Sequence, residues 1–534
     1  MHKDLVFIIN TNQNFIRTSG KDAEAFLPVL NDFFESISEV YLPLLNMLER
    51  LEGEGVRCRF GLVLAPVLCS LLEKAEIQKM YVEWLEKRIT LGQKQLSSIN
   101  SSKSSAVDKS AVNIIEKTIE KNKQLLADYE KKYECNLIKK FSEYHQKGYI
   151  ELLATCGTDI FIPHYADLLE VVSAQIETGL QSYRNSFGEF PDGFWLPELG
   201  YMPGIEKIIR AYGYSYTILD ARSVLLCENL PTKGIFYPSR TENSLAIFAN
   251  SPEIDDELLG ENGFALNEVY RNTKRDIGFE LPLEQLDSVI PKGSPRYSTG
   301  YRYWNRCFEG NCIYNDEAAM KQAEEDARAF LSKKAELLEK AAELLPESDY
   351  VVSVCALDAG ELRKSWSEWL VWFEDVMRYS SEYELKVSEC CELLDKQFSL
   401  EKIYPYYSAA GGDGYGESFV SSKNSWMIRY IRKASERMID LADRFPNDTG
   451  LKTRLLNLGA KELLLAQSVN LAKMIENEEF SDFAEKRFKD SIKAFTSVFD
   501  SLGSNTVSTE WLTTLEERDN LFPWMNYRIF SKKK

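Results

Sequence analysis

The sequence predicts an α/β fold built on a parallel sheet of seven strands, with a helical excursion after the second strand and an all-helical C-terminal part. Three observations carry that prediction. Seven short apolar runs recur between residues 5 and 357, and helical patterns lie between many of them. Such alternation of strand and helix is the signature of parallel sheets. Residues 71–144 break the alternation with a Lys-, Glu-, Gln- and Leu-rich stretch, and beyond about residue 382 the strand-like runs stop.

The first run, residues 5–9 (LVFII), is too short for a signal-peptide core and reads as a strand. The second is 57–64 (RCRFGLVL), the third 149–154 (YIELLA), the fourth 193–197 (GFWLP), the fifth 214–219, the sixth 245–249 and the seventh 350–357 (YVVSVCAL). From spacing alone, seven such strands suit either a barrel related to the eight-stranded one or an open doubly wound sheet. Residues 71–144 read as a helical insert with a flexible turn at the polar stretch 97–105, its charge forming a solvated face. Residues 318–345 form a charged helix leading into the seventh strand. Residues 424–445, 451–475 and 482–502 are amphipathic helices. The domain division is therefore 1–70 with 145–380 for the strand-bearing part, 71–144 for the insert, and 381–534 for the helical part.

Composition excludes several classes. A chain of 534 residues exceeds one small domain, and a net charge of -18 argues against nucleic acid or anionic membrane as partner. No apolar run reaches the roughly 18–20 residues of a membrane span. The ten cysteines are scattered without a CxxC, which reads as reduced thiols of a cytoplasmic protein. Only three histidines occur, His2, His145 and His164, so neither a His-based metal site nor a Ser/His/Asp triad is expected, and no cofactor is called for. The Gly411-Gly412-Asp413-Gly414 run lacks the Lys-Ser/Thr of a phosphate cradle and reads as a loop.

In parallel α/β folds, polar residues at the C-terminal ends of strands face the active site. The first strand ends in Asn10-Thr11-Asn12-Gln13, the third in Thr158-Asp159, the fourth in Trp195-Leu196-Pro197-Glu198, and the seventh in Asp358-Ala359-Gly360-Glu361. Glu198 and Asp358 each follow an apolar strand directly, where an acid is costly unless solvated, paired or functional. By pattern alone, each reads first as a strand-end carboxylate that caps a helix or pairs with an arginine. Two carboxylates facing one sugar ring are also the usual glycosidase apparatus.

The run Gly193-Phe194-Trp195-Leu196-Pro197-Glu198, with Tyr201 and Pro203-Gly204, resembles the nucleophile motif of glycoside hydrolase family 57. Leu357-Asp358-Ala359, with Trp366 and Glu368, resembles its acid/base motif. Residues 148–153 with Thr158, residues 275–282 and 299–303, Trp426, Arg437-Met438, residues 462–468 and Asp519-Asn520-Leu521-Phe522-Pro523 resemble further blocks in the same order. The resemblance runs from near residue 5 to near residue 530, closest to branching-enzyme-like members. It implies a (β/α)7 barrel with an inserted helical subdomain and a helical C-terminal domain. It implies a retaining double displacement on α-1,4-glucan, with Glu198 as nucleophile, Asp358 as general acid/base and no metal.

The sequence departs from the family pattern around that pair. Asn10 and Asn12 stand where the family has histidines, as does Asp159 after Thr158. Lys364 and Ser365 precede Trp366 where the family has a histidine. Ala410 and Phe419 occupy tryptophan positions, and Asn470-Leu471 follows Gln467-Ser468 where the family has Asp-Trp. Phe264 lacks the hydroxyl of the loop tyrosine. Asn keeps hydrogen bonding to sugar hydroxyls but no charge change, and Ala or Leu offers no flat face for a glucose ring. Asn10, Asn12, Asp159, Trp195, Phe264, Lys364, Trp366, Ala410 and Gln467 are the candidate substrate-binding residues. Three readings stand on the sequence. One is an active hydrolase or transglycosylase on α-glucan or a related glycan. A second is a degenerate member that binds glycan or a protein partner without turnover. The third is an interaction protein using 71–144 as an arm.

Overall fold

The computed structural model describes residues 1–18, 26–101, 106–307, 312–395, 399–504 and 506–532. Its sheet contains β1 (His2–Thr11), β2 (Phe60–Leu64), β3 (Ile150–Leu153), β4 (Gly193–Phe194), β5 (Tyr216–Asp220), β6 (Ser239–Arg240), β7 (Ala246–Asn250), β8 (Tyr350–Asp358) and β9 (Leu385–Val387). All seven predicted strands are present. Their order is β3-β2-β1-β8-β7-β5-β4, and every neighbouring pair along that path is parallel. A parallel bridge between Ala154 and Phe194 joins the two ends of the path. Ala154 N–H donates to Gly193 O at 3.1 Å, and Trp195 N–H donates to Ala154 O at 2.7 Å. The sheet is thus a nearly closed seven-stranded barrel, not an open doubly wound sheet. β6 and β9 are additional edge pairings on β7 and β1.

The strands read as continuous apolar runs because both faces are covered. In β1, Leu5, Phe7 and Ile9 point to the outer helices, while Val6 and Ile8 fill the barrel with Val63, Tyr216, Phe248 and Val354. β4 needs Gly193 for close approach: a Cβ there would lie 2.4 Å from the Tyr216 ring.

Of the helices around the barrel, those that bear on the cavities and the C-terminal layer are α1 (Leu27–Ser36), α2 (Ala75–Ser101), α3 (Ala106–Ala127), α4 (Asp316–Leu344), α5 (Ala359–Ser365), α6 (Trp369–Tyr379), α7 (Trp426–Arg444), α8 (Leu451–Ala466), α9 (Val469–Glu476), α10 (Ser481–Ser504) and α11 (Thr509–Arg518). α2 and α3 are the helical excursion. Leu91, Ile115 and Ile119 pack against Ile277, Ile290 and Tyr301 from the segment between β7 and β8. Of the polar stretch 97–105, residues 97–101 continue α2, and 102–105 lie outside the described residues. α7 to α11 form the C-terminal helical layer. It is tied to the barrel through Asp519, whose carboxylate accepts from Arg17 Nε at 2.8 Å and from Arg487 Nη1 at 2.9 Å.

One cysteine expectation is corrected. Cys307 and Cys312 form a disulfide, while Cys58, Cys69, Cys135, Cys156, Cys227, Cys355, Cys390 and Cys391 are free. The bridge arises because an antiparallel pairing of Trp304 with Ile313 brings the two Cα atoms to 6.1 Å. A spacing of five residues carried no sign of that turn.

Candidate active site

A cleft of about 520 Å³ opens at the C-terminal ends of β1, β7 and β8 and past the end of β4. Both Glu198 and Asp358 line it, with Asn10, Trp195, Asp255 and Lys473.

Glu198 sits four residues beyond the end of β4, inside the single turn Pro197–Leu199, with φ 55° and ψ 22°. Leu199 follows at φ 49°. Left-handed backbone at a non-glycine residue costs on the order of 1–3 kcal/mol and persists only where surroundings enforce it. Here Ala410 N–H donates to Glu198 O at 2.7 Å, and an antiparallel bridge pairs Tyr201 with Ser408. The glycine-rich loop therefore clamps the strained turn and aims the carboxylate into the cleft.

Asp358 is the last residue of β8, in register with Asn10 of β1. It is the N-cap of α5, where its Oδ1 accepts from Glu361 N at 2.9 Å. The strand-end capping role read from pattern is thus real for Asp358. It occupies one oxygen and leaves the residue on the cleft wall.

The partner of Glu198 is a lysine, which the sequence reading missed. Lys473 Nζ donates to Glu198 Oε1 at 3.0 Å and Oε2 at 3.2 Å, and lies 3.6 Å from Glu361 Oε1. Burial drives the Glu198 carboxyl above its ordinary value, and Lys473 opposes that without cancelling it. Burial alone would lower Lys473, but Glu198, Asp358 and Glu361 outweigh it and hold the ammonium firmly protonated. Lys473 reaches the site because Val469 N–H donates to Asp159 O at 2.6 Å, fastening the start of α9 to the loop after β3.

Asp159 and Asn12 line a small pocket that shares Asn10 with the cleft. Burial, and then the charge of Glu198, push the Asp159 carboxyl up to about 8. Asp159 does not meet Lys364. Burial together with Glu361 and Asp358 raises Asp255 to about 6.

Of the candidate substrate-binding residues, Asn10, Trp195 and Ala410 are on the cleft wall with the two acids. Four stand away from it. Lys364 bonds Glu479 at 2.6 Å, because the last turn of α5 directs it outward. Trp366 is fully buried, with Tyr270 at 5.2 Å and Trp372 at 5.6 Å between ring centroids, and serves as core. Phe264 opens a short turn packed on the main core, beside rather than in the cleft. Gln467 is buried, accepting from Gln175 at 2.9 Å and donating to Ser435 at 3.1 Å, which joins barrel to C-terminal layer. Phe419 does line the cleft. Among the described residues, no group of His, Cys, Asp or Glu is arranged to hold a metal ion, and no helix is long and apolar enough to cross a membrane.

Comparison with known proteins gives two family matches. The profile described as Glycosyl hydrolase family 57 matches residues 6–346, and that described as 1,4-alpha-glucan branching enzyme, C-terminal, matches residues 430–530. A 1,4-alpha-glucan branching enzyme of Thermococcus kodakarensis is 25% identical over 563 residues, covering 97% of this chain and 77% of the relative. The crystal structure of the alpha-amylase AmyC from Thermotoga maritima superposes with TM-score 0.90 at 26% identity, covering 100% of both chains. A GH57-type branching enzyme from Pyrococcus horikoshii superposes with TM-score 0.87 at 22% identity, covering 100% of this chain and 98% of that one, a likeness of fold.

Proposed function

The chain belongs to glycosyl hydrolase family 57, and from that premise we propose that it is a retaining α-glucan transglycosylase, acting as a 1,4-alpha-glucan branching enzyme. The observation that carries the reading is the shared cleft: Glu198, clamped in left-handed backbone, and Asp358, at the end of β8, line the same cavity. The relatives' activities point to the substrate.

In the first step Glu198 attacks the anomeric carbon and Asp358 gives its proton to the departing glycosidic oxygen. The bond to the leaving chain breaks as the glycosyl–Glu198 ester forms. In the second step Asp358 takes a proton from an acceptor sugar hydroxyl, whose oxygen displaces Glu198. A water acceptor would give hydrolysis instead.

Lys473 favours the ionised form of Glu198 against burial, and attack requires one carboxylate oxygen to leave its hydrogen bond. Asp358 keeps one oxygen on the α5 cap and works with the other. Trp195, three residues before the nucleophile, and Phe419 are the aromatic residues of the cleft lining. Asn10 supplies hydrogen bonds where a histidine would add switchable charge.

The test is incubation with amylose, reading new α-1,6 linkages by NMR and reducing ends by titration. Wild type forms branch points, and Glu198→Gln and Asp358→Asn, folded by circular dichroism, lose turnover by about 10³-fold or more. No turnover of any α-glucan by wild type, or undiminished turnover by Glu198→Gln, would refute the proposal.

A further inference from the structure

A second cavity, of about 330 Å³, lies between α3 and the turn joining α5 to α6. It is cut off from the catalytic cleft by α5, which presents Glu361 and Leu362 to the cleft and Arg363 to this cavity. Its lining is rich in cations, in a chain of net charge -18.

Most of those charges are already matched. Lys117 pairs with Asp316 at 2.8 Å and Arg50 with Glu374 at 2.6 Å. Arg302 pairs with Glu39 at 3.1 Å, and Arg363 reaches Glu39 at 3.7 Å. Two cations remain. Among the described residues, neither Lys121 nor Arg271 has a carboxylate within 4.0 Å. Arg271 lies 4.0 Å from the Tyr314 ring centroid and donates a long bond, 3.4 Å, to Arg302 O. The acid beside them is Glu368, buried, with its Oε2 unpaired. Its burial pushes the carboxyl toward the neutral form, in which it donates a hydrogen bond as well as accepting one.

We propose that this cavity binds a phosphorylated monosaccharide, the phosphate held by Lys121 and Arg271 and the sugar hydroxyls by Glu368 and Asn122. A phosphate dianion matches two unpaired cations, whereas a monocarboxylate would leave one unmatched. Arginine offers a planar fork and lysine a point charge, the pairing suited to phosphate oxygens. The volume sits at the lower end of the roughly 300–1,000 Å³ typical of small-molecule pockets, which suits one ring and one phosphate. The site is separate from the acid-lined cleft, so its ligand is not the glucan being processed.

Titration calorimetry of the full chain at low salt tests this, with glucose 6-phosphate, inorganic phosphate and glucose as probes. Lys121 stands on the exposed side of α3, at the cavity's mouth, so Lys121→Ala and Lys121→Glu are expected to fold. Wild type and Glu198→Gln bind glucose 6-phosphate saturably with equal affinity, and more tightly than phosphate. Lys121→Ala weakens this about tenfold and Lys121→Glu further. Glucose 6-phosphate that fails to saturate, that binds no better than glucose, that binds Lys121→Glu as well as wild type, or whose binding is lost in Glu198→Gln would overturn the assignment.

Discussion

Replacing Lys473 by methionine removes the ammonium that lines the cleft while keeping a stem of similar length. At about 3 Å from both oxygens of Glu198, the ion pair is worth about 5.4 kcal/mol at an effective dielectric near 20. Desolvation of the lysine offsets more than half, leaving roughly 2 kcal/mol, or about 1.5 pKa units at about 1.4 kcal/mol per unit. Burial already drives Glu198 upward, so without Lys473 it protonates at still higher pH. Glu198 must be ionised to attack, so activity in Lys473→Met falls at acid pH and recovers as pH rises. The assay is kcat/KM on amylose across pH 4–9, whose acid limb reports the free enzyme's nucleophile. The limb moves up by about 1.5 units, and Lys473→Arg restores most of the wild-type position. A uniform loss at every pH, with the limb unmoved, would show that Lys473 only holds the structure and would refute this electrostatic role.

Three other outcomes rest on the same geometry. Asp159, raised to about 8, stays protonated in the folded chain while the unfolded chain ionises near 4. It therefore contributes nothing below that point, and its cost grows as pH rises from about 4 to about 8. Asp159→Asn should raise the melting temperature at pH 8 and leave it unchanged near pH 4, a stabilisation on the order of 5 kcal/mol at pH 8, read by calorimetry. Asp519 shows the opposite sign: burial is outweighed by Arg487 and Arg17, which hold the carboxyl well below its usual range. Its stabilisation is full above the unfolded value and is lost as pH falls, so Asp519→Asn costs about 3–5 kcal/mol in denaturant melts at pH 7. Ala410→Pro deletes the N–H that clamps Glu198 O, and should cut kcat by about tenfold or more with little change in melting temperature.

The barrel was legible because its strands are buried on both faces, so each appears as an unbroken apolar run. Strand spacing left closure open, since it rests on the single pairing of Ala154 with Phe194, and only the family resemblance implied the barrel. Glu198 and Asp358 were legible as acids directly after such runs. Lys473 was hidden because it is 275 residues from Glu198, on an amphipathic helix where a lysine reads as solvent-facing. Lys364 and Trp366 show the converse. Proximity to Asp358 in sequence suggested the cleft, but the roughly two turns of α5 carry Lys364 to Glu479 and deliver Trp366 to the core. Gln467 was singled out for a sugar, and its hydrogen bonds run to Gln175 and Ser435, on helices distant in sequence, so they link the barrel to the C-terminal helical layer.

Double displacement requires that Glu198 become covalently glycosylated. A fluorinated maltosyl fluoride that slows the second step should trap that ester, and peptide mass spectrometry reads where it sits. One added glycosyl mass is expected on the peptide containing residues 193–204, absent in Glu198→Gln. No label under turnover conditions, or a label on any other peptide, would contradict it.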